Sequence, residues 1–412
     1  MAPNEELLRA YARLAVRKGV NLQSGQVLVL NAPVEARDFV SYLVEEAYRS
    51  GARYVLVNYG DDRVTRLRYL LADDEALDYF PRWVGEGYAQ MAREGAAFLS
   101  IYAPDPDLLA DIPAPRVARG DKARREAFRG YYAYTMSDRA RWSLISVPTP
   151  AWARKVFPDL SEGEAVEVLW DAVLGISRVR PGDPLENWDV HRRNLERRVA
   201  YLNAKRYRKL HFRGEGTDLL VGLPEGHIWH GGGATDHGGI PFQPNIPTEE
   251  VYTMPHRLEV EGYVRNTKPL NVHGTLVDGF TLWFEGGRVV RFTAERGEET
   301  LRHLLDTDEG ARHLGEVALV PVDSPVAQSG LLFYNTLYDE NASCHLALGQ
   351  AYPTTLQGGP DLSEDELRAR GANRSLIHED FMIGSPTLDV DGILPDGTRE
   401  PLLRRGLWAF EV

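Results

Sequence analysis

Gln26-Val27-Leu28-Val29-Leu30-Asn31 is a continuous apolar run of strand length. A second, Tyr54-Val55-Leu56-Val57-Asn58-Tyr59, follows a helical stretch from Ala36 to Arg49 that Gly51 closes. Strand, helix and strand in that order make a βαβ unit, and runs without polar alternation point to a parallel sheet covered on both faces. Ala97-Phe98-Leu99-Ser100-Ile101-Tyr102 and Trp142-Ser143-Leu144-Ile145-Ser146-Val147 read as two more strands, each preceded by a helical segment. Upstream, Leu7, Leu8, Tyr11, Leu14 and Ala15 have the spacing of an amphipathic helix between Asn4 and Gly19. Asn31-Ala32-Pro33-Val34-Glu35 stands where a dinucleotide-binding turn would carry its glycines. This half therefore reads as scaffold.

From Ser161 to Ala204 the pattern is helical, with stretches at Glu162 to Gly175 and Asn187 to Asn203. After Lys209 the character changes. Leu210 to Gly214, Asp218 to Val221, Leu258 to Val264, Thr281 to Phe284 and Val289 to Phe292 are short strand candidates punctuated by Gly and Pro. At roughly 150 residues per domain, 412 residues suggest two domains. The expected architecture is an α/β domain with a parallel-type sheet over residues 1–205, then a β-rich α+β domain over 206–412.

Composition narrows the function. A net charge of −13 disfavours a nucleic-acid partner, because phosphate binding draws on clustered Lys and Arg. No apolar run approaches the roughly 20 residues of a membrane helix, and Met-Ala-Pro-Asn-Glu-Glu lacks a signal peptide's basic and apolar regions. The single cysteine, Cys344, rules out an intramolecular disulfide framework, so the expected compartment is the cytoplasm. All 11 histidines lie at or after His191, which confines imidazole chemistry to the second half.

Four blocks there concentrate acidic and imidazole groups: Asn245 to Thr253, Gly315 to Pro321, Asn335 to Gly349 and His378 to Gly384. His378 and Asp380 are two apart in a run continuing Phe-Met-Ile, so a strand would put both on one face and Glu379 on the other. An imidazole beside a carboxylate suits zinc, cobalt or manganese. Taken alone, the pair reads more readily as a hydrogen-bonded surface pair. Glu316 interrupts an apolar run, and burying a lone carboxylate costs several kcal/mol unless it is paired or metal-bound. Period 2 sends Glu250 and Tyr252 to one face, and each glutamate taken alone reads more readily as part of a solvated strand edge.

Other hydrolytic chemistries lack parts. His230-Gly231-Gly232-Gly233 resembles an esterase oxyanion loop, but the chain has no G-x-S-x-G, and Ala327-Gln328-Ser329-Gly330 fails at its first position. The glycines from 231 to 239 therefore read as a loop. Cys344 and His345 are adjacent, so a strand points them to opposite faces and the imidazole cannot readily take the thiol proton. H-E-x-x-H is absent as well.

The motifs N-I-P-T-E-E-V-Y-T (245–253), G-E-V-A-L-V-P (315–321), N-T-L-Y-D-E-N-A-S-C-H-L-A-L-G (335–349) and H-E-D-F-M-I-G (378–384) resemble those of the thermophilic metalloaminopeptidase family. Length and motif order also match along essentially the whole chain. The resemblance implies two divalent ions (Zn, Co or Mn) held by Glu250, Glu316, His345, His378 and Asp380, with Tyr352 as a catalytic side chain. It also implies a homodimer enclosing a large cavity, and peptide substrates with a free N-terminus and a preference for apolar N-terminal residues. Ions about 3.5 to 4 Å apart need a bridging carboxylate, and Glu316, central among the blocks, is assigned that place.

The expected chemistry is attack by a metal-activated water, with Tyr352 donating to the oxyanion and Glu249 or Glu250 carrying the proton to the leaving amine. Glu249, Asp339 and Glu340 are candidate partners for the substrate ammonium, and each is equally a turn cap. Two other functions use the same residues. One is a metal-dependent hydrolase of another class, an amidase or phosphoesterase; the other is a non-catalytic peptide-binding protein with a structural metal.

Overall fold

The computed structural model describes residues 4–272 and 274–412. Contacts gather the chain into two compact units, one running to Val190 and including Gly233–Pro247, the other comprising His191–Gly232 and Thr248–Val412. The fold is a mixed α/β one, with a parallel sheet in the first unit and a β-rich second unit.

In the first unit, β1 (Val27–Pro33), β2 (Tyr54–Gly60), β3 (Ala97–Ile101) and β4 (Trp142–Ile145) form a parallel sheet in the order β2-β1-β3-β4. Leu28, Val29 and Leu30 of central β1 are wholly buried, as an apolar run without alternation requires. β2 departs from that expectation. As an edge strand it has one neighbour, and Tyr54 and Tyr59 stay 56% and 49% exposed. The amphipathic N-terminal pattern becomes a helix at Glu5–Leu14, capped by the Asn4 side chain, and continues as a π-helical turn over Ala15–Gly19.

Segment 233–247 has no periodic pattern, yet it belongs to this unit. It runs beside β4, with the Leu144 amide donating to the Pro244 carbonyl at 2.7 Å and the Ile246 amide to the Leu144 carbonyl at 3.0 Å. Asp236 in the same segment accepts from Arg141 at 2.7 Å.

The second unit begins inside the helix Pro184–Lys205 rather than at residue 205, because Leu195 and Leu202 of that helix pack into its core. A change from helical to strand-like pattern marks where strands begin. It does not show which core a helix joins. An eight-stranded antiparallel sheet follows the order Arg288–Thr293, Thr281–Glu285, Val260–Arg265, Thr217–Gly222, Lys209–Gly214, Asp389–Ile393, Arg399–Arg404 and Leu407–Trp408. A second antiparallel sheet contains β5 (Val251–Thr253), β6 (Leu314–Leu319), β7 (His345–Gly349) and β8 (His378–Met382), ordered β8-β7-β6-β5. One apolar core includes Phe212, Val221, Phe284, Val317, Leu346 and Phe381, so it takes side chains from both sheets.

Candidate metal centre

Register decides which side chains meet on the β5–β8 sheet, since residues directly opposite in antiparallel strands share a face. Tyr252, Ala318, His345 and Met382 form one cross-strand row, and Glu316, Ala347 and Asp380 form the next. His378 lies opposite Gly349 beyond them. Alternation sends Val251, Val317, Leu319, Leu346, Leu348 and Phe381 to the other face, where they are buried in the core. The apolar residues at every second position thus anchor the sheet and leave the polar ones together. Ala318, Ala347 and Gly349 are the small residues between them.

The candidate ligands converge. His345 Nε2 is 3.0 Å from Glu250 Oε2 and 3.5 Å from Glu316 Oε1. His378 Nε2 is 3.7 Å from Glu316 Oε2 and 3.6 Å from Asp380 Oδ1. Glu250, Glu316 and His345 bring ligand atoms within 4.8 Å of one another, as do Glu316, His378 and Asp380. Glu316 belongs to both groups and turns one oxygen toward each.

Each imidazole is oriented from behind. His345 Nδ1 donates to the Ser343 carbonyl at 3.2 Å and His378 Nδ1 to the Gln350 carbonyl at 2.7 Å. A carbonyl only accepts, so Nδ1 carries a hydrogen, and Nε2 is the nitrogen turned toward the carboxylates.

The electrostatics call for positive charge. Burial, with Asp380 and Glu250 close by, pushes the Glu316 carboxyl up to about 7, against the opposing pull of His345. Burial opposes charge on His378, yet Asp380 and Glu316 outweigh it and hold the imidazole up to about 10. His345 is likewise held well above its ordinary range by Glu250 and Glu316 in spite of burial. Asp380 Oδ1 is buried and has no hydrogen-bond partner among the described residues. Three carboxylates and two imidazoles, with no thiolate and a buried oxygen that accepts no hydrogen bond, fit hard or borderline divalent cations such as zinc, cobalt or manganese.

Tyr352 follows β7 through a short loop, and its half-buried ring lies 4.8 Å from the His378 ring. Burial and the Glu316 and Asp380 carboxylates hold its hydroxyl well above the ordinary phenol range, so it keeps its proton and can donate. Tyr252 stands on the ligand face with its ring 6.3 Å from that of Tyr352.

The remaining acidic candidates separate. Asp339 accepts from the Phe333 and Asn335 amides at 2.8 and 3.1 Å, so it holds a loop. Glu249 Oε2 lies 3.8 Å from His191 Nε2, while neighbouring Glu250 faces His345. Glu340 is different. Burial and then the Glu250 and Asp380 charges hold its carboxyl well above the ordinary range. Cys344 lies in the apolar core behind the sheet, its Sγ 3.4 Å from both the amide and the carbonyl of Val320. Burial pushes its thiol up to about 11, which suits a packing role.

The family model described as thermophilic metalloprotease (M29) matches residues 4–408. The chain is 53% identical over 408 residues to aminopeptidase 2 of Geobacillus stearothermophilus, spanning 99% of each. It is 51% identical over 401 residues to aminopeptidase T of Thermus thermophilus, spanning 97% of this chain and 98% of that one. A solved structure of wild-type AmpT from Thermus thermophilus superposes with a TM-score of 0.93 at 49% identity, covering 98% of this chain and 100% of that one.

Proposed function

Because this chain belongs to the thermophilic metalloprotease (M29) family, we propose that it is a metal-dependent aminopeptidase that releases N-terminal residues from peptides. The observation that carries the reading is Glu316, whose two oxygens face two donor groups, Glu250 with His345 and His378 with Asp380. Glu250, Glu316, His345, His378 and Asp380 would hold two divalent cations, zinc, cobalt or manganese. When bound, the cations polarise the scissile carbonyl and lower the pKa of a water to supply the nucleophile.

The chain's own groups do the rest. Tyr352 retains its proton and donates to the oxyanion as charge develops on the carbonyl oxygen. Glu250, rather than Glu249, faces the site and carries the proton to the leaving amine. Glu340, whose carboxyl feels the Glu250 and Asp380 charges, is the acidic candidate for meeting the substrate ammonium. The family resemblance further implies a homodimer working in the cytoplasm, and sedimentation of the metal-loaded protein tests the dimer. No helix among the described residues is long and apolar enough to cross a membrane.

The test compares leucine p-nitroanilide, its N-acetylated form and p-nitrophenyl phosphate, with cobalt or zinc added and then chelated. Hydrolysis of the free-amine substrate alone, abolished by chelation, is expected. Equal cleavage of the N-acetylated form would rule out an aminopeptidase, and cleavage of the phosphate ester alone would mark a phosphoesterase.

A further inference from the structure

The His-Gly-Gly-Gly run at 230–233 has no esterase machinery to serve, yet its first residue touches two elements of the site. His230 pairs with Tyr252 through both backbone bonds, its amide donating at 2.8 Å and its carbonyl accepting at 2.9 Å. The strand so held follows directly on Glu250. The side chain reaches the other way, and Nε2 lies 2.8 Å from the carbonyl oxygen of Thr354. A carbonyl cannot donate, so the imidazole does.

Thr354 belongs to the 3-10 turn Pro353–Thr355 immediately after Tyr352. The same turn is held at two more points. Ile228 donates its amide to the Thr355 carbonyl at 2.8 Å, and the Thr355 hydroxyl donates to the Tyr352 carbonyl at 2.6 Å. The glycine after His230 allows the close approach, since a Cβ on Gly231 would lie 2.7 Å from the Glu250 carbonyl oxygen. The rings of His230 and Tyr252 stand 6.0 Å apart, those of Tyr252 and Tyr352 6.3 Å, and those of Tyr352 and His378 4.8 Å, an aromatic series leading to the ligand cluster.

We propose that His230 is a positioning residue for Tyr352: by joining the turn after Tyr352 to the strand after Glu250, it sets the phenol hydroxyl over the reacting carbonyl. This rests on the catalytic role given to Tyr352 above. A donor to an oxyanion works only at the position the charge will occupy, and small displacements cost large factors in rate. Losing the tie should therefore slow turnover and leave substrate and metal binding nearly as they were.

The test is steady-state hydrolysis of leucine p-nitroanilide by the metal-loaded protein, with bound metal measured on every variant. His230→Ala should lower kcat by roughly ten- to a hundred-fold with KM within about three-fold and metal content unchanged. His230→Gln, whose amide nitrogen extends about as far as Nε2, should restore most of the rate. In a Tyr352→Phe background, His230→Ala should cost nothing further, because the group it positions is already gone. Should the alanine variant not fold, His230→Phe, which has the ring and no donor, replaces it. Unchanged turnover in His230→Ala, or losses that multiply with those of Tyr352→Phe, would overturn the proposal alone. Loss of metal in step with rate would assign His230 a structural role. Wild-type turnover in Tyr352→Phe removes the role of Tyr352 itself, and the proposal with it.

Discussion

Tyr352 and Glu316 show how single residues are set by their surroundings. Replacing Tyr352 with Phe removes one donor and almost no volume, so turnover should fall by roughly a hundred- to a thousand-fold while metal content holds; kinetics beside elemental analysis check both halves. Asp138 offers a test away from the site. Burial raises its carboxyl from 3.8 to about 6, with His237 opposing the rise. A raised pKa means that the acid favours the fold below about pH 3.8 and loses that contribution as pH climbs through about 6. Asp138→Asn should therefore stabilise the protein at pH 8 by at most about 3 kcal/mol, and the gain should shrink toward pH 4 in thermal melts. Asn also tolerates the left-handed backbone found there, φ 55°. Some of this was legible in the chain. A lone Glu316 in an apolar run, and His378 two residues from Asp380, stand out by pattern, yet each alone reads as a surface group, and only the combined motifs point to a metal. Glu249 and Glu250 did not, since two identical neighbours are told apart only by which one the strand turns inward.

Among the elements, the β5–β8 sheet assigns one face to ligands and the other to the core, and the two can be perturbed separately. Ala347 is wholly buried between Glu316 and Asp380. Ala347→Leu should spread those carboxylates, destabilising by about 1–3 kcal/mol while abolishing metal uptake and hydrolysis. Leu346→Ala on the opposite face should instead cost about 2–5 kcal/mol of stability and leave metal stoichiometry intact. Denaturant melts and metal titration of the two variants separate the effects. The parallel strands β1 to β4 were readable because each is a compact apolar run between helical stretches. Asp389–Ile393 and Arg399–Arg404 were not, because acidic and basic residues interrupt them and their pairing partners lie far away in sequence. The exposed edge of β2 was equally hidden, since strand order is a long-range property.

For the molecule as a whole, cation binding should be inseparable from stability. Stripping the metal leaves buried like charges facing one another, and a ligand held only by the folded state stabilises it by mass action. Chelation should lower the melting temperature by several degrees, and added cobalt or zinc should restore it; calorimetry with and without chelator checks this. The division inside the helix Pro184–Lys205 and the assignment of 233–247 to the first unit could not be read from composition, because only packing reveals which core a helix or loop serves. The order β8-β7-β6-β5 has a further result. The strand bearing His378 and Asp380 is the last of the four to be synthesised, and neither donor group is complete without its own late arrivals, His345 for one and β8 for the other. A ribosome-bound chain therefore cannot assemble either donor group until most of its length has been synthesised.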